Sequence, residues 1–217
     1  MADQHPLPVV VLISGSGTNL QAIIDAQQSG LLRIEIRTVI SNRADAYGLE
    51  RARRAGIATA IVDYTQFASR AHFDRALQTT IDTTGAQLII LAGFMRILTP
   101  EFVQHYAGRM LNIHPSLLPK HRGLRTHEGA IAARDAQHGA SVHFVTTELD
   151  GGPVIAQAQV PVLAHDTPAT LEQRVRAQEH VIYPLVIGWY AAGRLRLENG
   201  NAVLDGEVLH GPRLVNS

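Results

Sequence analysis

Short apolar runs alternate along this chain with amphipathic stretches, and glycine or proline marks most of the junctions. Pro8 to Ser14 (PVVVLIS) has the pattern of a strand buried on both faces of a parallel sheet. Beyond Gly15-Ser16-Gly17-Thr18-Asn19, the residues Leu20, Ile23, Ile24 and Ala26 recur at helical spacing, and Gly30 is placed to stop that helix. Arg33 to Ser41 predicts a second strand, Tyr47 to Ala55 a helix closed by Gly56, and Ile57 to Val62 a third strand. Phe67 to Thr83 reads as a helix, Gln87 to Ala92 as a buried strand, Pro100 to Tyr106 as a helix with proline in its first turn, and Met110 to Ile113 as a strand. This alternation predicts an α/β fold, a mainly parallel twisted sheet with helices on both faces.

The second half begins with a short helix predicted from His127 to Ala136. Ser141 to Thr146 and Val154 to Val160 are extended segments flanking Asp150-Gly151-Gly152-Pro153, and they predict an antiparallel extension toward the C-terminus. Thr170 to Trp189 carries a long helical pattern, and the last segment predicts a hairpin around Asn199-Gly200. No repeat, linker or low-complexity tract interrupts the chain, so a single domain over 1–217 is expected.

Composition narrows the chemistry. With 217 residues, 46% of them hydrophobic and 18% charged, the chain can bury one sizeable core. Basic and acidic residues both number 19, and this balance argues against a nucleic-acid partner held by bulk charge. Cysteine is absent, which removes disulfides, thiolate metal ligands and a cysteine nucleophile. No apolar run approaches the ~18 residues of a membrane span. The first basic side chain is Arg33, so the start lacks the basic region of a signal peptide, and a cytoplasmic location without membrane attachment is expected.

Three features carry candidate chemistry. Gly15-Ser16-Gly17 after the first strand points backbone N–H groups from a helix start toward an anion. The dinucleotide fingerprint fails, because Leu20 stands where its third glycine belongs and Asn42 where its acid belongs, so a phosphate monoester suits the loop better than NAD. A purely structural turn is the other reading. Asn112 and His114, two apart near the end of a strand, point to one face, where an amide and an imidazole suit an oxyanion formed in acyl transfer. A capped strand end would look the same. Asp150, on a glycine turn, can orient His114 and favour its protonated form only if the two meet in space. The Leu118–Pro119 bond, in a two-proline loop, is expected to be cis.

Other chemistries find no support. His127-Glu128 lacks the second zinc-protease histidine, since position 131 is Ile, and no Gly-x-Ser-x-Gly elbow occurs. None of the 11 histidines shows a recognised metal-ligand spacing, and no metal is expected.

Taken together, Ile13-Ser14-Gly15-Ser16-Gly17-Thr18-Asn19-Leu20, Ser41 to Ala46 (SNRADA), Leu91 to Leu98 (LAGFMRIL), Leu111 to Pro119 (LNIHPSLLP) and Glu148 to Val154 (ELDGGPV) resemble the phosphoribosylglycinamide formyltransferase family. The resemblance runs from about Val9 to Leu204. It implies transfer of a formyl group from 10-formyltetrahydrofolate to the amine of glycinamide ribonucleotide in purine biosynthesis, with small-molecule substrates, no metal, and a monomer or homodimer. It further implies a mononucleotide-binding half at about 8–106, a folate and catalytic half at about 107–190, and a hairpin tail at about 191–217.

Carried onto matching positions, the resemblance implies that Asn112 and His114 bind the formyl oxygen while Asp150 holds His114 charged and relays a proton. Gly17, Thr18 and Asn19 would take the 5′-phosphate with Arg70 nearby. Glu179 would reach the ribose and glycinamide, and Arg176, one helical turn before it, would assist with the phosphate. Met95, Arg96, Ile97 and Leu98 would contact the folate, with Val145 to Asp150 as the opposite wall. Two departures stand out. Lys120-His121-Arg122-Gly123 replaces the usual aromatic residue and proline, and its Arg-Gly resembles methionyl-tRNA formyltransferase, whose additional tRNA-binding domain 217 residues do not accommodate. Thr147 stands where the family has an acidic or apolar residue. The alternatives are a formyltetrahydrofolate hydrolase using the same Asn, His and Asp, and a phosphometabolite-binding module without chemistry.

Overall fold

The first apolar run forms β1 (Leu7–Ile13), and Val9 to Ile13 are each 0% exposed, as a strand covered on both faces requires. The computed structural model describes residues 5–215 and divides into two units, Met1–Leu111 and Asn112–Ser217.

In the first unit β1 is followed by α1 (Thr18–Gln28), β2 (Ile34–Ser41), α2 (Tyr47–Arg54), β3 (Thr59–Ile61), a 3-10 turn (Tyr64–Gln66), α3 (Arg70–Asp82), β4 (Leu88–Leu91) and α4 (Pro100–His105). The strand order is β3-β2-β1-β4, and each of these pairs is parallel. The chain runs outward from β1 to β3 and returns to the other side of β1 as β4. Strand order therefore reverses between β1 and β4, and in such sheets ligands gather beyond the carboxyl ends of the strands at that reversal.

The chain passes into the second unit along β5 (Met110–His114). There follow α5 (Thr126–Ala132), β6 (Gln137–Phe144), β7 (Val154–Pro161), α6 (Pro168–Ala191), β8 (Leu195–Glu198), β9 (Asn201–Leu204), β10 (Glu207–Val208) and β11 (Arg213–Leu214). The order is β5-β6-β7-β11, with β6 and β7 antiparallel and β11 parallel to β7. α6 packs across β6 and β7 and against α5. The hairpin forms as expected: Asn199 and Gly200 at its tip both have positive φ (49° and 78°), and β8, β9 and β10 make a separate antiparallel sheet. The Leu118–Pro119 bond is cis.

Several boundaries differ from the sequence reading. The helix expected from Phe67 starts at Arg70, because Ser69 caps it by accepting the His72 N–H. The helix expected to reach Ala136 stops at Ala132, and Arg134 turns left-handed at φ 53°. β6 begins at Gln137 and not at Ser141: pairing with β7 out to Pro161 draws polar Gln137 and His138 into the ladder. α6 continues through Pro184, with buried Ile182, Tyr183, Val186 and Ile187 holding it on either side. Among the described residues no helix is long and apolar enough to cross a membrane.

Candidate active site

Beyond the end of β1 the chain makes its glycine turn. Ser14 Oγ donates to Asn42 Oδ1 at 2.6 Å and accepts the Met95 N–H at 2.8 Å. Asn42, where a dinucleotide site would carry its acid, thus ties the ends of β1 and β2 and the segment after β4 together. Gly17 has φ +70°, and a Cβ there would lie 2.6 Å from the Gly48 Cα, so both its dihedral and its space demand glycine. α1 has no side-chain cap, whereas α3, α4 and α6 are capped by Ser69, Thr99 and Thr167. Its start borders a cavity of about 170 Å³ lined by Ser14 to Asn19 with Ala92, Gly93 and Met95. This cavity brings together the expected phosphate residues Gly17, Thr18 and Asn19 and one expected folate residue, Met95.

The rest of the 95–98 segment is partly open. Met95 is 66% and Ile97 58% exposed, while Leu98 is half-buried. The Arg96 guanidinium lies over the Tyr64 ring at 4.3 Å. Arg70 is exposed at the first position of α3 and does not line the cavity.

In the second unit the three residues singled out for chemistry share one neighbourhood. His114 is buried on β5, its Nδ1 3.5 Å from Asp150 Oδ2, and its Nε2 lies 2.9 Å from the His121 carbonyl. A carbonyl only accepts, so Nε2 carries a hydrogen and Nδ1 is the nitrogen facing the carboxylate. Asp150 takes a left-handed conformation, φ 48°, and its Oδ2 also accepts the Gly123 N–H at 2.9 Å. A Cβ on Gly152 would lie 1.8 Å from the Phe144 carbonyl oxygen, so only glycine lets this turn fold against β6.

Asn112 brings in a residue the sequence reading missed. Its Nδ2 lies 3.0 Å from His143 Nε2, and His143 Nδ1 lies 2.9 Å from the Phe144 carbonyl. His143 Nε2 is also 3.8 Å from Asp150 Oδ1. The β6–β7 register shifts between Val142 and His143, the kind of irregularity that re-aims a side chain beside a site. Burial pushes the His143 imidazole below its ordinary range, which keeps it neutral and leaves Nε2 as an acceptor for the amide. A lone polar residue inside the apolar run VHFV was the available signal, the same kind that marked Asn112 and His114.

The departure at 120–123 is tied down at every residue. Lys120 Nζ and His121 Nε2 both reach Asp135, at 2.8 and 2.7 Å, and these two donors hold its carboxyl below the usual range. Arg122 pairs with Glu148, and Gly123 donates to Asp150. Behind this strap, His138 Nε2 lies 3.1 Å from His127 Nδ1, and burial, with His127 and His121 close by, pushes His138 down to about 4. On α6, Arg176 pairs with Glu172, and Glu179 is buried. Val145 is half-buried next to Phe144, and Thr147 is exposed. Among the described residues no group of three or more His, Asp or Glu side chains could hold a metal ion.

Residues 7–187 match the formyl transferase family profile. The chain is 58% identical over 201 residues to the phosphoribosylglycinamide formyltransferase of Escherichia coli K12, covering 93% of this chain and 95% of that protein. It is 51% identical over 201 residues to the enzyme of the same name from Haemophilus influenzae, with the same coverage of both. Among solved structures, the phosphoribosylglycinamide formyltransferase of Coxiella burnetii in complex with CHES superposes with a TM-score of 0.93 at 58% identity, covering 97% of this chain and 100% of that one.

Proposed function

We infer the reaction from one premise: the chain belongs to the formyl transferase family. It is a phosphoribosylglycinamide formyltransferase, transferring the formyl group of 10-formyltetrahydrofolate to the amine of glycinamide ribonucleotide in purine biosynthesis. The observation that carries the mechanism is the cluster of Asn112, His114 and Asp150, with His114 Nδ1 3.5 Å from the carboxylate.

The substrate amine attacks the formyl carbon, and the carbonyl oxygen becomes an oxyanion. Asn112 has two amide hydrogens and His143 takes one, so the other is the donor for this oxygen. His114 supplies the second donor, Nε2–H, which the substrate oxygen takes over from the His121 carbonyl. Asp150 stabilises the charge on His114 and relays the proton lost by the amine toward N10 of the folate, whose bond to the formyl carbon then breaks. Holding amine and formyl carbon in contact supplies much of the rate.

The glycine loop, with Gly17, Thr18 and Asn19, binds the 5′-phosphate, and Arg70 and Arg176 supply positive charge to it. Glu179 contacts the ribose and glycinamide. Met95, Arg96, Ile97, Leu98 and the segment from Val145 to Asp150 contact the folate. Purified protein given both substrates should form formylglycinamide ribonucleotide. No product would overturn the reading, and formate release independent of the amine would mark a hydrolase in its place.

A further inference from the structure

We propose that Arg51, on α2, is the positioning residue of the phosphate-binding loop, shaping its backbone and placing an unneutralised positive charge beside it. The proposal deepens the reading of that loop as the ribonucleotide phosphate site and rests on it.

Two consecutive peptide units of the loop are pinned against α2. The Gly15 carbonyl accepts the Gly48 N–H at 3.0 Å, and the Ser16 carbonyl accepts Arg51 Nε at 2.8 Å. In a planar trans peptide the carbonyl and the following N–H point in opposite directions. Pulling the Gly15 and Ser16 carbonyls toward α2 therefore aims the N–H groups of Ser16 and Gly17 away from it, on the side of the cavity, whose lining includes no α2 residue. Among the described residues neither N–H is given to another group. Two aimed and open donors beside an uncapped helix start form an anion-binding concavity.

The charge on Arg51 is the second observation. Its neighbours Arg53 and Arg54 both pair with Glu50. Arg51 instead bonds two neutral oxygens, Ser16 O and Gln21 Oε1 (3.2 Å), and its guanidinium lies 5.0 Å from the centre of the Tyr47 ring. Among the described residues no carboxylate pairs with it. Its side chain also borders the space where a Gly17 side chain would stand, 3.5 Å from that Cβ position. The position thus calls for a fork of donors more than for a point charge. Lys would keep the charge and at most one of the two bonds.

The test compares glycinamide ribonucleotide with its 5′-dephosphorylated riboside. For Arg51→Gln we expect KM for the ribonucleotide to rise about tenfold, with kcat and the KM for formyl folate within about twofold of wild type. Turnover of the riboside should not change, because that substrate has no phosphate to lose. Arg51→Lys should fall between wild type and Arg51→Gln, and Arg53→Gln should match wild type. A ribonucleotide-to-riboside preference in Arg51→Gln equal to that of wild type would overturn the proposal. So would loss of riboside turnover in both Arg51 variants, which marks a role in folding. If wild type itself does not prefer the phosphorylated substrate, the phosphate reading fails first, and the proposal with it.

Discussion

His143 holds the side chain of Asn112: its Nε2 lies 3.0 Å from the amide nitrogen, and its own Nδ1–H is committed to the Phe144 carbonyl at 2.9 Å. Both nitrogens of the ring are thereby assigned, and the amide is fixed in one orientation, whose second hydrogen the proposed mechanism gives to substrate. His143→Ala leaves the amide without that acceptor, a loss of about 1–3 kcal/mol for a buried polar group. We expect kcat to fall about tenfold or more, with KM for both substrates within about threefold, measured by steady-state kinetics. An unchanged kcat would free His143 of this role.

Asp150→Asn tests the carboxylate. The amide oxygen of Asn can still accept the Gly123 N–H, so the loop should keep its shape, but the negative charge 3.5 Å from His114 is gone. In the proposed mechanism that charge acts on the transition state more than on bound substrate, so kcat should drop about 100-fold with KM within about threefold. Equal losses in kcat and in substrate affinity would contradict this.

Gly17→Ala combines a left-handed backbone with a contact against the Gly48 backbone, which has no side chain to swing aside. The dihedral alone costs roughly 1–2 kcal/mol. Thermal unfolding should drop by about 2–8 °C. KM for the ribonucleotide should rise with it, because the loop and the start of α1 must shift together. A variant with wild-type melting and wild-type KM would refute the geometry.

His138 makes stability fall on acidification. Its folded value of about 4 lies below the ordinary 6.5, chiefly because burial disfavours the charged ring. Between those values the unfolded chain binds the proton and the folded one does not, so stability is complete above about pH 6.5 and is lost as pH falls toward 4. His127 is lowered in the same direction, burial again being the main cause, and adds to the slope. Denaturant unfolding at pH 7.5 and 5 measures it, and His138→Gln should flatten the difference. An undiminished slope after that substitution would place the acid sensitivity elsewhere.

How far the sequence could be read follows from the range of the interactions involved. β1 and β4 are legible because burial on both faces writes itself as an unbroken apolar run, and α1 because its buried side, Leu20, Ile23 and Ile24, recurs at helical spacing. The pairing of Asn112 with His114 was legible because strand periodicity alone puts them on one face. The helix after His127 was read too long, since nothing local announces that Arg134 will turn left-handed, and β6 was read too short, since Gln137 and His138 enter a strand only through their partners on β7.

Residue types and their spacing alone thus determined the α/β alternation, the glycine loop before a helix, and the presence of an amide, an imidazole and an acid in motifs of one family, because each is written within a few consecutive residues. Only the tertiary structure decided that Asp150 meets His114, that His143 orients Asn112, that the unusual Lys120-His121 pair is anchored on Asp135, and that Arg51 reaches back across 35 positions to the Ser16 carbonyl. Those contacts join residues far apart in the chain. Their geometry comes from strand register, a register shift and packed helices, and no local pattern encodes it.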